Sequence, residues 1–414
     1  MATFRKVKLE DVTTKIGSGA TPRGGQGSYY TQGTPLIRSL NVYDLKFDYS
    51  NLAFIDNEQA KKLNNVTVIE NDVLLNITGA SVCRCTSVPN NLVPARVNQH
   101  VSIIRADGKN LDGKYLKYAL VSPFYKNNLL GLSKNGATRE ALTKENIENF
   151  EISLPSFEEQ THISSILSAY DDLIENNEKR IKVLEEMAQL LYTEWFVKFK
   201  FPGHEKVKMI DSGTEYGRIP EGWEVMRLKE LGKTITGKTP PTGDLDNFNG
   251  EVLFIKTPDI HGNIFVIKTE QTLSLVGSHL QATKLLPEKT VFVSCIGTLG
   301  VVGITSKPSQ TNQQINALIL YDATDYIYLY FFAKGLRQKL VGLGSNGATM
   351  GNVNKDKFEN LLILYPNDKI RKSFFDRTYE IFDEILTLQL HSELLSKTRD
   401  LLIPQLVTGA RKLK

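Results

Sequence analysis

From Ile163 to Trp195, apolar residues recur at alternating spacings of four and three. They are Ile163, Leu167, Tyr170, Ile174, Ile181, Leu184, Ala188, Leu191 and Trp195, with Asn177 the one polar member. This heptad pattern is held for more than four heptads and predicts a helix over 158–199, about 60 Å long at 1.5 Å per residue. Phe374, Ile381, Ile385, Leu388, Leu395, Leu402 and Leu406 keep the same register near the other end of the chain. Elsewhere the pattern breaks into short β-type runs such as Val66-Thr-Val-Ile, Val101-Ser-Ile-Ile and Val291-Phe-Val-Ser. Gly, Asn and Pro punctuate them, as in a mixed α/β (α+β) globular fold. Two long helices in one chain can cover each other's apolar seams. The expected architecture is therefore an antiparallel intramolecular coiled coil holding two globular domains apart about a pseudo-two-fold axis. The competing arrangement packs each helix on its own globular domain. Asn177 is open to two readings, a register-fixing polar residue or a polar position near water.

The chain is also written twice. Residues 131–155 match 342–366 at 11 of 25 positions, where average composition gives roughly one or two. The matches include Asn135/Asn346, Gly136/Gly347, Thr138/Thr349, Lys144/Lys355 and Pro155/Pro366. Leu36-Ile-Arg-Ser-Leu-Asn parallels Phe254-Ile-Lys-Thr-Pro-Asp, and Gly19-Ala-Thr-Pro22 parallels Gly237-Lys-Thr-Pro240, both at offset 218. Asn98-Gln99 parallels Asn312-Gln313 at offset 214. The expected division is a globular domain over 1–155, a central helix over 156–205, a second globular domain over 206–366 and a distal helix over 367–414.

Composition removes several classes. At 414 residues with 41% apolar and 23% charged positions, the chain is neither disordered nor a disulfide scaffold. It holds no apolar run of membrane-spanning length, and Met1-Ala-Thr-Phe-Arg-Lys-Val-Lys has no apolar stretch after its charges, unlike a secretory signal. Three cysteines, Cys83, Cys85 and Cys295, fit a reduced cytoplasmic setting, offer no zinc spacing and read best as buried thiols. The net charge, 50 − 46 = +4, permits a nucleic-acid partner without requiring one.

Two motifs imitate nucleotide sites. Gly232-Lys-Thr-Ile-Thr-Gly237-Lys238-Thr239 matches the phosphate-cradling GxxxxGK[ST], and would make the chain a nucleotide-binding enzyme if a helix followed. Pro240-Pro241 is poor material for that helix, and the first copy keeps only Gly-x-Thr-Pro. Gly342-Leu-Gly344-Ser-Asn-Gly347 fits GxGxxG, but follows a helical pattern where a strand is needed. No metal-ligand spacing, Ser/His/Asp set or paired carboxylates stand out among the residues, His100 and His162 included.

What remains is a scaffold presenting two similar, non-identical domains, a plan that suits the two half-sites of duplex DNA. Candidate contacts are basic or amide residues on predicted loops: Arg38/Lys256 and Asn41/Asp259 after apolar strands, and Lys134, Asn135/Asn346 and Arg139 around the Asn-Gly-Ala-Thr turn. Arg23, directly after the first Gly-x-Thr-Pro segment, and Lys238, inside the second, complete the set. Arg suits guanine, Asn or Gln adenine, and Lys phosphate. For Asn135 and Asn346 the alternative is turn chemistry, because Asn-Gly tolerates positive φ.

Taken together, Ile152-Ser-Leu-Pro155-Ser-Phe-Glu-Glu-Gln160 leading into the first helix, the Gly-Ala-Thr segment before each junction, and the domain–helix–domain–helix order resemble the specificity subunit of a type I restriction–modification enzyme. The resemblance covers essentially the whole chain. The second copy departs from it, with Arg371 where the first has Gln160. It implies a chain without catalytic activity that reads a split DNA sequence, one part per domain, the helices setting the unread spacer. It further implies double-stranded DNA, two methyltransferase subunits and restriction (motor-nuclease) subunits as partners. S-adenosylmethionine, ATP and magnesium would sit on those partners and not on this chain. Trp195, Phe196 and Phe199 are candidates for a partner surface or, equally, for packing on the adjacent domain. A coiled-coil scaffold that binds no DNA is the remaining alternative to weigh.

Overall fold

The β-branched runs form strands, and Asp, Ser, Thr or Asn open most of the short helices between them. Asp112, for example, accepts the Lys114 and Tyr115 N–H groups at the start of Gly113–Val121, which satisfies donors a helix start leaves open. The computed structural model describes residues 4–134, 140–344 and 351–411. It divides into two units, residues 1–175 with 393–414, and residues 176–392.

The first unit holds two four-stranded sheets. One is antiparallel in the order Thr13–Ser18, Val101–Ala106, Val73–Asn76, Cys85–Ser87. The other is mixed, in the order Ala53–Ile55, Thr34–Ile37, Ala95–Val97, Thr67–Val68, with the central pair parallel. Their faces bury Leu36, Ile37, Val97, Leu74 and Ile103 in one core and Val73, Leu75, Tyr115 and Leu116 in another.

The second unit repeats this plan in its own five-stranded and three-stranded sheets. The repetition extends to single residues of the register. Val101 faces Asn76 and Ser102 faces Ser18 in the first unit; Ile315 faces Ser294 and Asn316 faces Thr236 in the second. The parallel pairs also correspond, Val97 with Ile37 and Thr311 with Ile255. A one-residue slip would turn every side chain to the opposite face, so matching registers preserve which residues each strand buries.

Both long helices are present, Phe157–Tyr192, passing into a π-helical turn at Thr193–Val197, and Asp368–Val407. All ten seam positions from Ile163 to Trp195 are buried or half-buried. Each unit contains an antiparallel pairing of parts of the two helices. In the first unit Ile163 and Leu167 share a core with Ile403, Leu406 and Val407, and burying each such aliphatic side chain contributes about 1.5–3 kcal/mol. Asp171 there accepts hydrogen bonds from Lys117 Nζ (2.8 Å), Tyr118 OH (2.5 Å) and Arg399 Nη1 (2.7 Å). In the second unit Asn177 is 3% exposed and donates to Ser392 Oγ at 3.1 Å. Its buried, partnered amide excludes a polar position near water and leaves the register-fixing reading. Arg180 meets Glu384 nearby, at 2.5 Å.

The aromatic residues at the end of the first helix lie inside the second unit. Trp195 and Phe196 are 5% exposed, and Phe196 packs against Phe374, Tyr328 and Trp223 with ring centroids 4.9, 4.8 and 5.9 Å away. Phe199 packs edge-on to Trp223 at 5.6 Å. Packing on the domain, rather than a partner surface, is thus the role of this cluster.

Gln160 and Arg371 perform one task by different chemistry. Gln160 donates to the Pro155 and Asn110 carbonyls and accepts the Asp112 N–H, at 2.8–2.9 Å. Arg371 donates to the Pro366 carbonyl at 3.1 Å and forms a buried ion pair with Asp325. Each ties the first turn of its long helix to the domain before it.

Candidate nucleic-acid interface

In each unit the parallel strand pair ends at one edge and delivers two polar segments side by side. Thr34–Ile37 leads to Arg38, and Ala95–Val97 leads to Asn98-Gln99, joined by the Asn98 N–H donating to the Ile37 carbonyl at 3.0 Å. In the second unit Asn312 N–H donates to Ile255 at 3.1 Å, placing Asn312-Gln313 beside Lys256. The Gly-x-Thr-Pro segment crosses the same edge. Gly19 N–H bonds the Val101 carbonyl and Gly237 N–H the Ile315 carbonyl, each at 3.1 Å. A Cβ on Gly19 would run into the Val97 carbonyl, and one on Gly237 into those of Thr311 and Asn312. Only glycine admits so close a backbone approach. A third segment completes the edge: Ile77 N–H bonds the His100 carbonyl at 3.0 Å, and Cys295 N–H bonds the Gln314 carbonyl at 2.7 Å. The turns that follow, at Gly79 and Gly297, have positive φ and donate to the carbonyls of Glu140 and Gly351.

Thr21 donates its hydroxyl to Gln99 Oε1, and Thr239 to Gln313 Oε1 at 2.6 Å. The sequence comparison marks Gly-x-Thr-Pro and Asn-Gln as shared positions without linking them. Their meeting depends on strand order, which identity between copies does not reveal.

The predicted contact residues that the structure describes fall in three groups. Arg38 is half-buried, lies over the Tyr29 ring at 5.2 Å and donates to the Asn51 carbonyl. Lys256, also half-buried, donates to Gln271 Oε1 at 2.8 Å. Arg23, Lys134 and Lys238 are exposed. Asn41 and Asp259 are inward-facing supports. Asn41 is fully buried; its Oδ1 accepts the Arg38 N–H at 3.0 Å and its Nδ2 donates to Asp48 at 2.9 Å. Asp259 accepts the N–H groups of Lys256 (2.8 Å) and Glu270 (2.9 Å). They hold the basic residue's loop in place. Asn135, Arg139 and Asn346 lie outside the described residues.

The phosphate-loop reading does not survive. Gly232–Thr236, which would have to form the cradle, is a strand paired with Ile315–Leu320, and no helix begins at Lys238 or Thr239. The Gly237 and Lys238 N–H groups, which a phosphate cradle would need, donate instead to the Ile315 and Thr311 carbonyls. The three cysteines are buried, and burial pushes the Cys83 thiol up to about 12 and that of Cys295 to about 11. Among the described residues no group of three His, Cys, Asp or Glu is placed to hold a metal, and no helix is long and apolar enough to cross a membrane.

Comparison with known proteins bears on this duplicated edge. A family model described as "Type I restriction modification DNA specificity domain" matches residues 1–186 and 220–395. The HindI type I restriction enzyme specificity subunit of Haemophilus influenzae is 28% identical over 85% of this chain and 88% of its own length. The MjaIX specificity subunit of Methanocaldococcus jannaschii is 26% identical, covering 97% and 92%. A crystal structure of the type I restriction–modification S subunit from M. genitalium aligns over 99% of this chain and 97% of its own, at a TM-score of 0.59 and 13% identity, a likeness of fold.

Proposed function

The chain belongs to the type I restriction–modification DNA specificity family, and on that premise we propose that its two units read the two halves of a split DNA site. The observation that carries this reading is the edge built twice from corresponding residues, each copy placing a basic residue (Arg38 or Lys256) beside an exposed amide (Gln99 or Gln313). Arg23, Arg38, Lys134, Lys238 and Lys256 are the proposed DNA contacts, with Asn135, Arg139 and Asn346 as further candidates from the sequence; Asn41 and Asp259 position Arg38 and Lys256. Base edges supply selectivity and phosphates supply affinity. The long helices set the unread spacer. Family membership disfavours a scaffold that binds no DNA.

The chain itself is non-catalytic in this reading. Methylation and cleavage belong to methyltransferase and restriction subunits in the cytoplasm, which carry S-adenosylmethionine, ATP and magnesium. Two exposed apolar positions recur on the long helices at offset 211: Val183 (54%) with Leu394 (62%), and Leu190 (65%) with Leu401 (67%). Solvent-facing apolar residues at helical spacing mark partner surfaces. Two equivalent faces suit two copies of one partner, the methyltransferase.

Selection of duplexes from a random library by this chain with its modification partners tests the reading. Enrichment of one split motif, with affinity falling steeply between about 50 and 200 mM salt, is expected. Salt-sensitive binding that enriches no motif contradicts it.

A further inference from the structure

Beyond the basic residues, both edges present a glutamine whose amide is set by a neighbouring threonine. Asn98 and Asn312 turn inward, 7% and 8% exposed, while Gln99 and Gln313 are exposed. An exposed glutamine ordinarily samples many rotamers, and fixing it gives up side-chain entropy for a solvent-facing hydrogen bond of small net value. Such a tether adds little to stability, yet it occurs at the same place in both copies. In each, the threonine stands two residues after a glycine pressed against the opposing backbone, so the hydroxyl is delivered by a loop with little freedom to move. A polar group held in its binding orientation loses less entropy on association.

The hydrogen-bond inventory defines the ligand. An amide has two acceptor lone pairs and two N–H donors. Thr21 occupies one lone pair of Gln99, and Gln99 Nε2 lies 3.1 Å from His100 Nε2. One acceptor and one donor are left. Thr239 occupies one lone pair of Gln313, which leaves one acceptor and two donors. One acceptor beside one donor matches the major-groove edge of adenine, where the amide oxygen takes the N6 proton and the amide nitrogen gives one to N7.

We propose that Gln99 and Gln313 are base-reading residues, one for each half-site, each oriented by its threonine to take the N6/N7 edge of an adenine. This rests on the DNA-reading function proposed above. The first copy anchors its glutamine at a second point: His100 Nδ1 also meets Thr78 Oγ1 at 2.6 Å, where the second copy has Gln314 and Ile296. Gln99 is therefore the more rigid reader.

The test uses the assembled complex of this chain with its modification partners, and duplexes carrying the selected site with each base pair changed in turn. Gln99→Ala is expected to reduce discrimination at one adenine of one half-site by about 10- to 100-fold. Discrimination in the other half-site and affinity for unrelated DNA stay unchanged; Gln313→Ala mirrors this. Gln99→Glu, which leaves only acceptors, shifts the preference at that position towards cytosine, and Thr21→Val weakens discrimination there. Replacing the contacted adenine by 7-deazaadenine weakens wild-type binding and leaves binding by Gln99→Ala unaffected. If Gln99→Ala and Gln313→Ala preserve discrimination at every position, or weaken all sequences equally, while the wild type still reads its split site, the assignment is overturned. A wild type that reads no site would instead overturn the DNA-reading function itself.

Discussion

Asp171 illustrates how single residues fasten a helix to its domain. Burial pushes its carboxyl up, but Lys117, Tyr118 and Arg399 outweigh this and hold it below the usual carboxylate range. A carboxyl lowered by folding contributes stability above its unfolded value, near 4, and loses that contribution as pH falls. The thermal unfolding temperature of the first unit is therefore expected to drop as pH is lowered from about 5 towards 3, and Asp171→Asn should be less stable at neutral pH with a flatter pH profile. An unchanged profile in the variant would place the acid sensitivity elsewhere. Asp171 lies one step from a seam position, where the heptad pattern predicts a solvated charge. Its three partners come from distant or separately folded segments, so periodicity could not expose them. The exchange of Gln160 for Arg371 was visible as a mismatch, but its consequence was not. The replacement is legible only with Asp325 beside Arg371, because the shared task is tying the helix start to the domain.

The long helices were the most legible elements, since an apolar residue every three or four positions over more than thirty residues fits the helical period and no strand. Their pairing is antiparallel, and Asn177 meets Ser392 inside the seam. The fate of Trp195, Phe196 and Phe199 depended on which surface lay nearest, which spacing does not encode. What periodicity leaves out is the outward stripe, because two exposed apolar residues seven apart on each helix are too few to stand out as a pattern. Leu190→Asp and Leu401→Asp each remove one exposed apolar position. Each change is expected to release one methyltransferase subunit and both together two, read as the mass of the complex by light scattering, with the melting temperature of the isolated chain unchanged. Full stoichiometry in the double variant would exclude this stripe as the docking face.

At the scale of the whole chain the duplication is the strongest signal. Identity at 11 of 25 positions, read with the shifting offset, anticipated two copies of one domain, and the strand registers repeat to match. The edge itself was half legible. Arg38, Lys256, Asn98-Gln99 and both Gly-x-Thr-Pro segments were all visible as paired positions. Their convergence follows from a parallel strand pair that joins segments far apart in sequence, Thr34–Ile37 with Ala95–Val97 in the first copy, a non-local arrangement that local pattern cannot specify. Asn41 and Asp259 shared the polar character of a contact residue but bond the backbone of their own loops, a distinction that only the hydrogen bonds reveal. The central claim is that this chain selects the DNA sequence on which its partners act. The most direct measurement is the adenine-methylation map of host DNA with this chain present and with it deleted, the methyltransferase partner being expressed in both. Loss of a single split motif, with all other methylation unchanged, is the predicted result. A map in which the partner's methylation persists unaltered after deletion would contradict it.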